Sequence, residues 1–577
     1  MRNDMLTEAG ERLPAVPWQI YPRPQLVREG WQCLNGDWEF DTKEDCWEET
    51  IKVPFCPESR LSGIRRDFTE NTVFHYKKYF TVDIPLKNRK ILLHFGAVDQ
   101  VAAVYLNGSC LGVHLGGYLP FTYDVTDHIR TENELIVTAT DPLLHTLPWG
   151  KQSLKRGGMW YTPVSGIWQT VWLESVPRTY VKKLTVRTEG RTVSVRAEGI
   201  GTGILRWEGP VCRALPSDAS EYGGAEAAGE CRLVNGQASF TVEDPRYWSP
   251  REPWLYPFTL RSGEDCVRSY FALRSLSIEN DSGHERLCLN GEPFIFHGVL
   301  DQGYWSDGIY TPAEPAAYEQ DIRLMQEFGF NTLRKHIKVE PEQFYYDCDR
   351  LGMAVFQDMV NCGDYGYVRD TVIPTVGILW HPDKNLHKEP RVRDAFERYM
   401  KETVLHLMNH PCICYWTIFN EGWGQFLSDE MYEKLKAIDD SRFIDSTSGW
   451  FAQKKSDVDS RHIYFKDLAK SLKQKDRPLV LSEFGGRAYP EAGHCFDPEK
   501  IYGIKKYPDR ETCLKETLKL YREGVVPAFR RGELSAAILT QLSDVEEEVN
   551  GFITYDRRLR KYDPEDFLPI ARDLGTV

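Results

Sequence analysis

Residues 413–424 read ICYWTIFNEGWG. The stretch opens with an apolar, β-branched and aromatic run, the pattern of a parallel strand covered on both faces. It then stops at Asn420, Glu421 and Gly422. An amide and a carboxylate at the carboxyl end of a parallel strand stand where α/β barrels keep their active sites. A second stretch answers it. Residues 479–486 read LVLSEFGG, again a short apolar strand that ends in a glutamate, Glu483, followed by glycines. Two glutamates at two strand ends predict paired-carboxylate chemistry. Glycoside hydrolysis needs such a pair, one carboxyl to protonate the leaving oxygen and the other to attack or to activate water.

Around these two strands the chain alternates strand and helix from about residue 276 onward, the mark of a βα barrel. Strands are predicted at 294–299, 331–337, 354–360, 413–420, 443–448, 462–465, 479–483 and 536–542. Helices are predicted at 315–328, 341–351 and 391–409. Eight strands in some 300 residues is a barrel's allotment. Residues 361–389 show little periodicity and many Gly and Pro, as a long functional loop at a barrel rim does.

Upstream the periodicity is that of strands. Residues 1–175 carry strand-like runs at 91–95, 101–106, 135–140 and 167–173, and Asn107-Gly108 is a strong hairpin signal. A two-sheet jelly roll fits. Residues 176–275 continue with runs at 181–186, 193–197, 238–242 and 255–260, the length of a second β-sandwich. Gly199-Ile200-Gly201-Thr202-Gly203 lacks the third spaced glycine and following helix of a dinucleotide loop and reads as a turn. The small and polar residues between Cys212 and Cys231 read as a long exposed loop. The fold class is therefore a jelly-roll β-sandwich, a second β-sandwich and a C-terminal (β/α)8 TIM barrel, with domains at 1–175, 176–275 and 276–577.

In this order the motifs resemble glycoside hydrolase family 2, the family of β-galactosidases and β-glucuronidases. Asn420-Glu421 is similar to that family's acid/base motif, Glu483 in SEFGG to its nucleophile strand, and FNTLRKH at 330–336 to its Asn-x-x-Arg stretch. The resemblance implies an immunoglobulin-like β-sandwich at 176–275 and a retaining mechanism with Glu421 as acid then base and Glu483 as nucleophile. It places Arg334 beside the nucleophile, Asn420 on the sugar 2-hydroxyl and Tyr464 as a donor to the nucleophile. Lys335, His336, His462, Trp450 and Arg487 are further substrate-binding candidates. Trp423 is a second candidate stacking wall. Asp141 resembles a position where the first domain reaches the pocket. Asp358 and Asp544 follow strands and are candidate lining residues.

Composition narrows the partners. The 577 residues are 41% hydrophobic and 27% charged, with a net charge of −14 and no basic run interleaved with aromatics, so nucleic acid is not an expected partner. No long apolar run predicts a membrane span. The charged start, MRNDMLTEAGERLP, does not read as a signal peptide, and the 14 irregularly spaced cysteines read as reduced thiols of a cytoplasmic protein. No HExxH, paired Cys array or GxSxG appears, so no metal or cofactor is expected and the serine-hydrolase reading fails. Family members are often dimers or tetramers through their β domains, which leaves a homo-oligomer an open expectation.

The sugar is less legible. Family β-glucuronidases grip the substrate carboxylate with an Asn-x-Lys pair after the last strand. Here the nearest segment is Asn550-Gly551-Phe552. The expected substrate is a terminal β-galactoside. The alternative is a β-galacturonide held by one of Arg334, Lys335, Lys338 or Arg487, since cations at the rim match carboxylates. A non-catalytic carbohydrate-binding protein would keep the aromatics without needing both Glu421 and Glu483.

Overall fold

The computed structural model describes residues 5–212, 227–375, 377, 378 and 382–577. In the first domain two antiparallel sheets face each other. One runs in the order Glu49–Val53, Gly36–Asp41, Val73–Thr81, Glu132–Thr140, Val101–Leu106, Ser109–Leu115. The other runs Trp31–Cys33, Val171–Pro177, Arg89–Phe95, Phe121–Asp124. Alternation does the work. Along Glu132–Thr140 the residues Leu135, Val137 and Ala139 are buried and their neighbours are not, so one face packs into the sandwich core. Asn107 and Gly108 both adopt positive φ, 51° and 81°, as the predicted tight hairpin requires.

The second domain is built from Lys183–Glu189, Thr192–Glu198 and Gln237–Thr241 on one side and Ala227–Val234, Thr202–Glu208, Trp254–Ser262 and Asp265–Phe271 on the other. The two halves pair only where Val234 stands opposite Gln237. Both contribute to one core, with Val193 and Val195 from one half and Leu205, Trp207 and Leu260 from the other. The expected turn covers only 199–201, for a strand begins at Thr202. Of the stretch expected to be a loop, 213–226 lies outside the described residues, while 227–231 is strand.

The barrel has all eight expected strands, in parallel: Phe296–Asp301, Thr332–Lys335, Ala354–Asp358, Ile413–Asn420, Phe443–Ser448, Asp459–Ile463, Leu479–Gly485 and Leu534–Thr540. The ladder runs fifth-fourth-third-second-first-eighth-seventh-sixth. The fifth and sixth strands are not laddered. Their seam is bridged instead by side chains, with the Ser448 hydroxyl 3.3 Å from that of Ser460 and 3.0 Å from His462 Nε2. One unexpected element precedes the barrel, a small antiparallel sheet of Leu276–Asp281, His284–Leu289 and Glu292–Pro293. It docks at the start of the eighth strand through Leu287 N–H to Ser535 Oγ, 3.2 Å, at the end opposite the site. The rim loop at 361–389 holds a π turn, Val368–Val372, and a short 3-10 turn, Asp383–Asn385. Residues 376 and 379–381 of that loop lie outside the described set. Among the described residues no helix is long and apolar enough to cross a membrane, and all 14 cysteines are free thiols.

Candidate active site

The fourth strand ends because Glu421 turns back. Its φ is +52°, a left-handed conformation that costs a non-glycine residue about 1 kcal/mol or more. Gly422 and Gly424 must follow it, since a Cβ at Gly422 would lie 2.5 Å from Phe451 and one at Gly424 1.8 Å from the Cys362 carbonyl. The turn lifts the Glu421 carboxyl over the mouth of the barrel. From the seventh strand Glu483 faces it, and His462 of the sixth strand stands between them. A carboxylate oxygen of each glutamate and a nitrogen of His462 all lie within 4.8 Å of one another.

Arg334 organises the floor. Fully buried at the end of the second strand, its guanidinium donates to Glu483 Oε1 (3.0 Å), Asp358 Oδ1 (3.0 Å), the Ser482 carbonyl (3.0 Å) and Asn420 Oδ1 (2.8 Å). The bond to Asn420 engages the amide oxygen, which fixes the amide's orientation. Tyr464 donates to Glu483 Oε2 at 2.5 Å and is 3.0 Å from Thr540 Oγ1. His462 Nε2 faces the Arg334 donor at 3.3 Å, so it accepts, and its Nδ1–H donates to Glu421 Oε1 at 2.7 Å. Asp358 bridges Arg334 to His336 Nδ1 (2.7 Å) beneath the site rather than lining it.

These contacts push the two carboxyls apart. Burial by itself would raise the Glu483 pKa, but the neighbouring His462, Arg334 and His336 and the Tyr464 hydroxyl outweigh it and hold it at about 2. Glu421 moves the other way. Burial raises its pKa, the Glu483 charge adds to this, and the His462 hydrogen bond only partly opposes it. A pair of carboxyls pushed apart in this way, one down and one up, is the division of labour that acid-plus-nucleophile catalysis uses. Three donor atoms this close are also a geometry that suits a cation. Here the Arg334 guanidinium already supplies positive charge to Glu483 and His462.

Arg334→Met should therefore raise the Glu483 pKa from its depressed value. Because activity requires ionised Glu483, the acid limb of the kcat/KM profile should move to higher pH by at least about one unit. An unmoved acid limb would show that Arg334 does not set the charge of Glu483.

Aromatic rings wall the cleft. Trp450 donates from Nε1 to the Glu421 carbonyl (3.0 Å) and meets His462 edge-on. Trp423 stacks on Trp160 of the first domain at 5.1 Å, Trp160 on Trp149 at 5.4 Å, and Trp149 on His145 at 4.4 Å. Tyr365, from the rim loop, is edge-on to both Trp160 and Trp423. Lys151, beside them, lies close enough for its charge to act on Glu421 and His336. Sequence reasoning passed over Lys151, Trp160 and Tyr365. The only available signal was aromatic density in the segments PWGKQ and GGMWYTP.

Several expected lining residues lie elsewhere. Lys335 is buried between Asp301 (2.6 Å) and Glu340 (2.8 Å), so it is an internal ion pair and not a substrate contact. Lys338 likewise serves Glu340 (2.9 Å) and two carbonyls. Asp544 does not face the cleft. Its carboxylate holds Lys561 (2.9 and 3.0 Å) and the Gly551 N–H. Asp141 accepts from Leu143 N and Ser165 Oγ, in a cleft that it shares with Glu58, Arg156 and Lys500. Arg487 lies beyond Tyr464, over the Tyr507 ring at 5.8 Å, in a groove with Phe465 and Lys505.

Comparison with known proteins identifies the family. The model of the family 2 glycosyl hydrolase TIM barrel domain matches residues 282–513, and that of the family 2 galactose-binding domain-like unit matches 49–184. The chain belongs to glycoside hydrolase family 2. Among curated family 2 relatives, a β-galactosidase of Thermoanaerobacter pseudethanolicus is 25% identical over 514 residues, covering 82% of this chain and 63% of the relative. The chain spans about half the length of the next two β-galactosidases, 44% and 50%. Among solved structures, a β-D-glucuronidase of Dictyoglomus thermophilum superposes with a TM-score of 0.73 at 18% identity, over 96% of this chain and 99% of that one. A family 2 β-galacturonidase of Eisenbergiella tayi superposes with a TM-score of 0.67 at 20% identity, over 96% and 98%. These structural likenesses speak to the fold.

Proposed function

We propose that this family 2 protein is a retaining, exo-acting β-glycosidase that removes terminal β-linked sugars, galactosides in one reading and galacturonides in a second. The observation that carries the reading is the pair of carboxylate oxygens within 4.8 Å. Retaining enzymes hold their carboxyls about 5–5.5 Å apart, whereas inverting ones leave room for a water between them. In the first step Glu421 gives its proton to the glycosidic oxygen as Glu483 attacks the anomeric carbon. The aglycone leaves as its alcohol, and the sugar remains as an ester of Glu483. In the second step Glu421, now ionised, takes a proton from water, which displaces Glu483 from the sugar. Tyr464 and Arg334 hold the Glu483 oxygens throughout, and the Asn420 amide is the donor for the 2-hydroxyl, whose contact strengthens as charge develops on the ring.

The test is stereochemical. Proton NMR of a nitrophenyl β-galactoside digest should show the β-anomer of the free sugar first, before mutarotation. An α-anomer formed first would refute the covalent route. A second reading, a β-galacturonide substrate, is favoured by one feature, the cation at Lys151.

A further inference from the structure

Lys151 stands on a segment of the first domain that is fastened to the barrel rim. Trp149 donates from its backbone to the Asn361 carbonyl (3.2 Å) and from Nε1 to the Gly363 carbonyl (3.0 Å). Gln152 is pinned on the other side by Asp99 (2.8 Å), Tyr118 (3.0 Å) and the Val164 N–H (2.6 Å). Between these anchors the Lys151 carbonyl accepts from Tyr161 N at 3.0 Å. The side chain is directed between two rings, its ammonium 5.7 Å from the centroid of Tyr161 and 5.7 Å from that of Trp423. The residue is only 7% exposed. Among the described residues no carboxylate pairs with this ammonium and no carbonyl hydrogen-bonds it.

That sets it apart from the other buried cations near the barrel mouth. Arg334 has Asp358 and Glu483, Lys335 has Asp301 and Glu340, Lys338 has Glu340, and Lys561 has Asp544. Glu548, which shares Tyr161 with Lys151, is engaged by the Tyr161 hydroxyl and the Asn550 amide. With no carboxylate of the fold on it, the ammonium is held by two aromatic faces, worth about 1–2 kcal/mol. Such a charge is open to an anion that a ligand brings. The position says which ligand. The ammonium lies beside Trp423, two residues past Glu421, and its charge reaches Glu421 and His336, so it borders the cleft where the glycon must sit.

We infer that Lys151 reads a carboxylate on the sugar ring, so that the preferred glycon is a hexuronic acid and the first domain supplies the specificity. The inference rests on the glycosidase reading above.

The experiment uses the full chain as wild type, Lys151→Met and Lys151→Arg on nitrophenyl β-galactoside, β-galacturonide and β-glucuronide. One of the uronides should exceed the galactoside in kcat/KM for the wild type. In Lys151→Met the uronide-to-galactoside ratio should fall at least about 100-fold, mostly through KM, as expected when a desolvated charge pair loses one partner. Lys151→Arg should recover part of that ratio. Because no carboxylate of the fold pairs with Lys151, the thermal midpoint of Lys151→Met should equal or exceed that of the wild type. A wild type that prefers the galactoside, or a Lys151→Met variant that loses both substrates in equal proportion, overturns the inference while leaving the glycosidase reading intact. Failure of the wild type on every glycoside overturns the glycosidase reading itself.

Discussion

Glu483→Gln should lower kcat by about 10⁵-fold or more, with sugar binding retained. The substitution replaces the proposed nucleophile, a carboxylate, with a neutral amide. It keeps the shape of the side chain and an oxygen for the Arg334 donor at Oε1. Arg334 still has Asp358, so the buried cation is not orphaned and the fold should stand. The informative comparison is between steady-state hydrolysis of a nitrophenyl glycoside and calorimetric binding of the product sugar. Loss of turnover with binding preserved supports the nucleophile assignment. Activity within tenfold of the wild type would remove Glu483 from that role, and the double-displacement route with it.

Glu421→Gln should divide substrates by their leaving groups. An alkyl glycoside needs a proton on its departing oxygen, and its kcat/KM should fall by about 10³–10⁴-fold. A dinitrophenyl glycoside needs none, and its kcat/KM should fall by less than about tenfold. Its kcat should still drop, because the second step has lost its base and the covalent intermediate accumulates. The pH profile supplies an independent check. Burial raises the Glu421 pKa, so the wild-type enzyme loses activity on the alkaline side as this carboxyl ionises, and the variant should show no such limb. Equal losses on both leaving groups would mean that Glu421 is not the proton donor.

The parts of the molecule legible from sequence are those in which burial and periodicity act alone. Each barrel strand is a short apolar run because it is covered on both faces, and Glu421 and Glu483 stand out because a charged residue closes such a run. The strand Leu276–Asp281 escaped notice because its Glu279 and Asn280 face solvent, and nothing in its polarity distinguishes it from a loop. Thr202–Glu208 was hidden by Gly203 and by Gly199 and Gly201 just before it, although its buried positions, Gly203, Leu205 and Trp207, alternate as a strand's do. Charges were the least legible. Lys335 and Lys151 look alike in sequence. What separates them is that Asp301 and Glu340 converge on the first, whereas two rings flank the second and no carboxylate among the described residues pairs with it. Such partners are set by topology, which brings Trp423 of the barrel against Trp160 of the sandwich. The same holds for Asp544, whose partner, Lys561, lies beyond the turn that Gly551 makes.

The chain of rings from His145 through Trp149 and Trp160 to Trp423 crosses from the sandwich to the strand that carries Glu421. Indoles stacked face to face share their electronic transitions, so they absorb as a coupled set and give a paired circular-dichroism band that isolated tryptophans lack. The coupling falls steeply with separation and tilt. The protein thus carries an optical gauge of its own docking. A shift of the sandwich against the barrel, on binding a sugar or on heating, is written into the ultraviolet spectrum with no label attached, and it is read at the wall of the cleft itself.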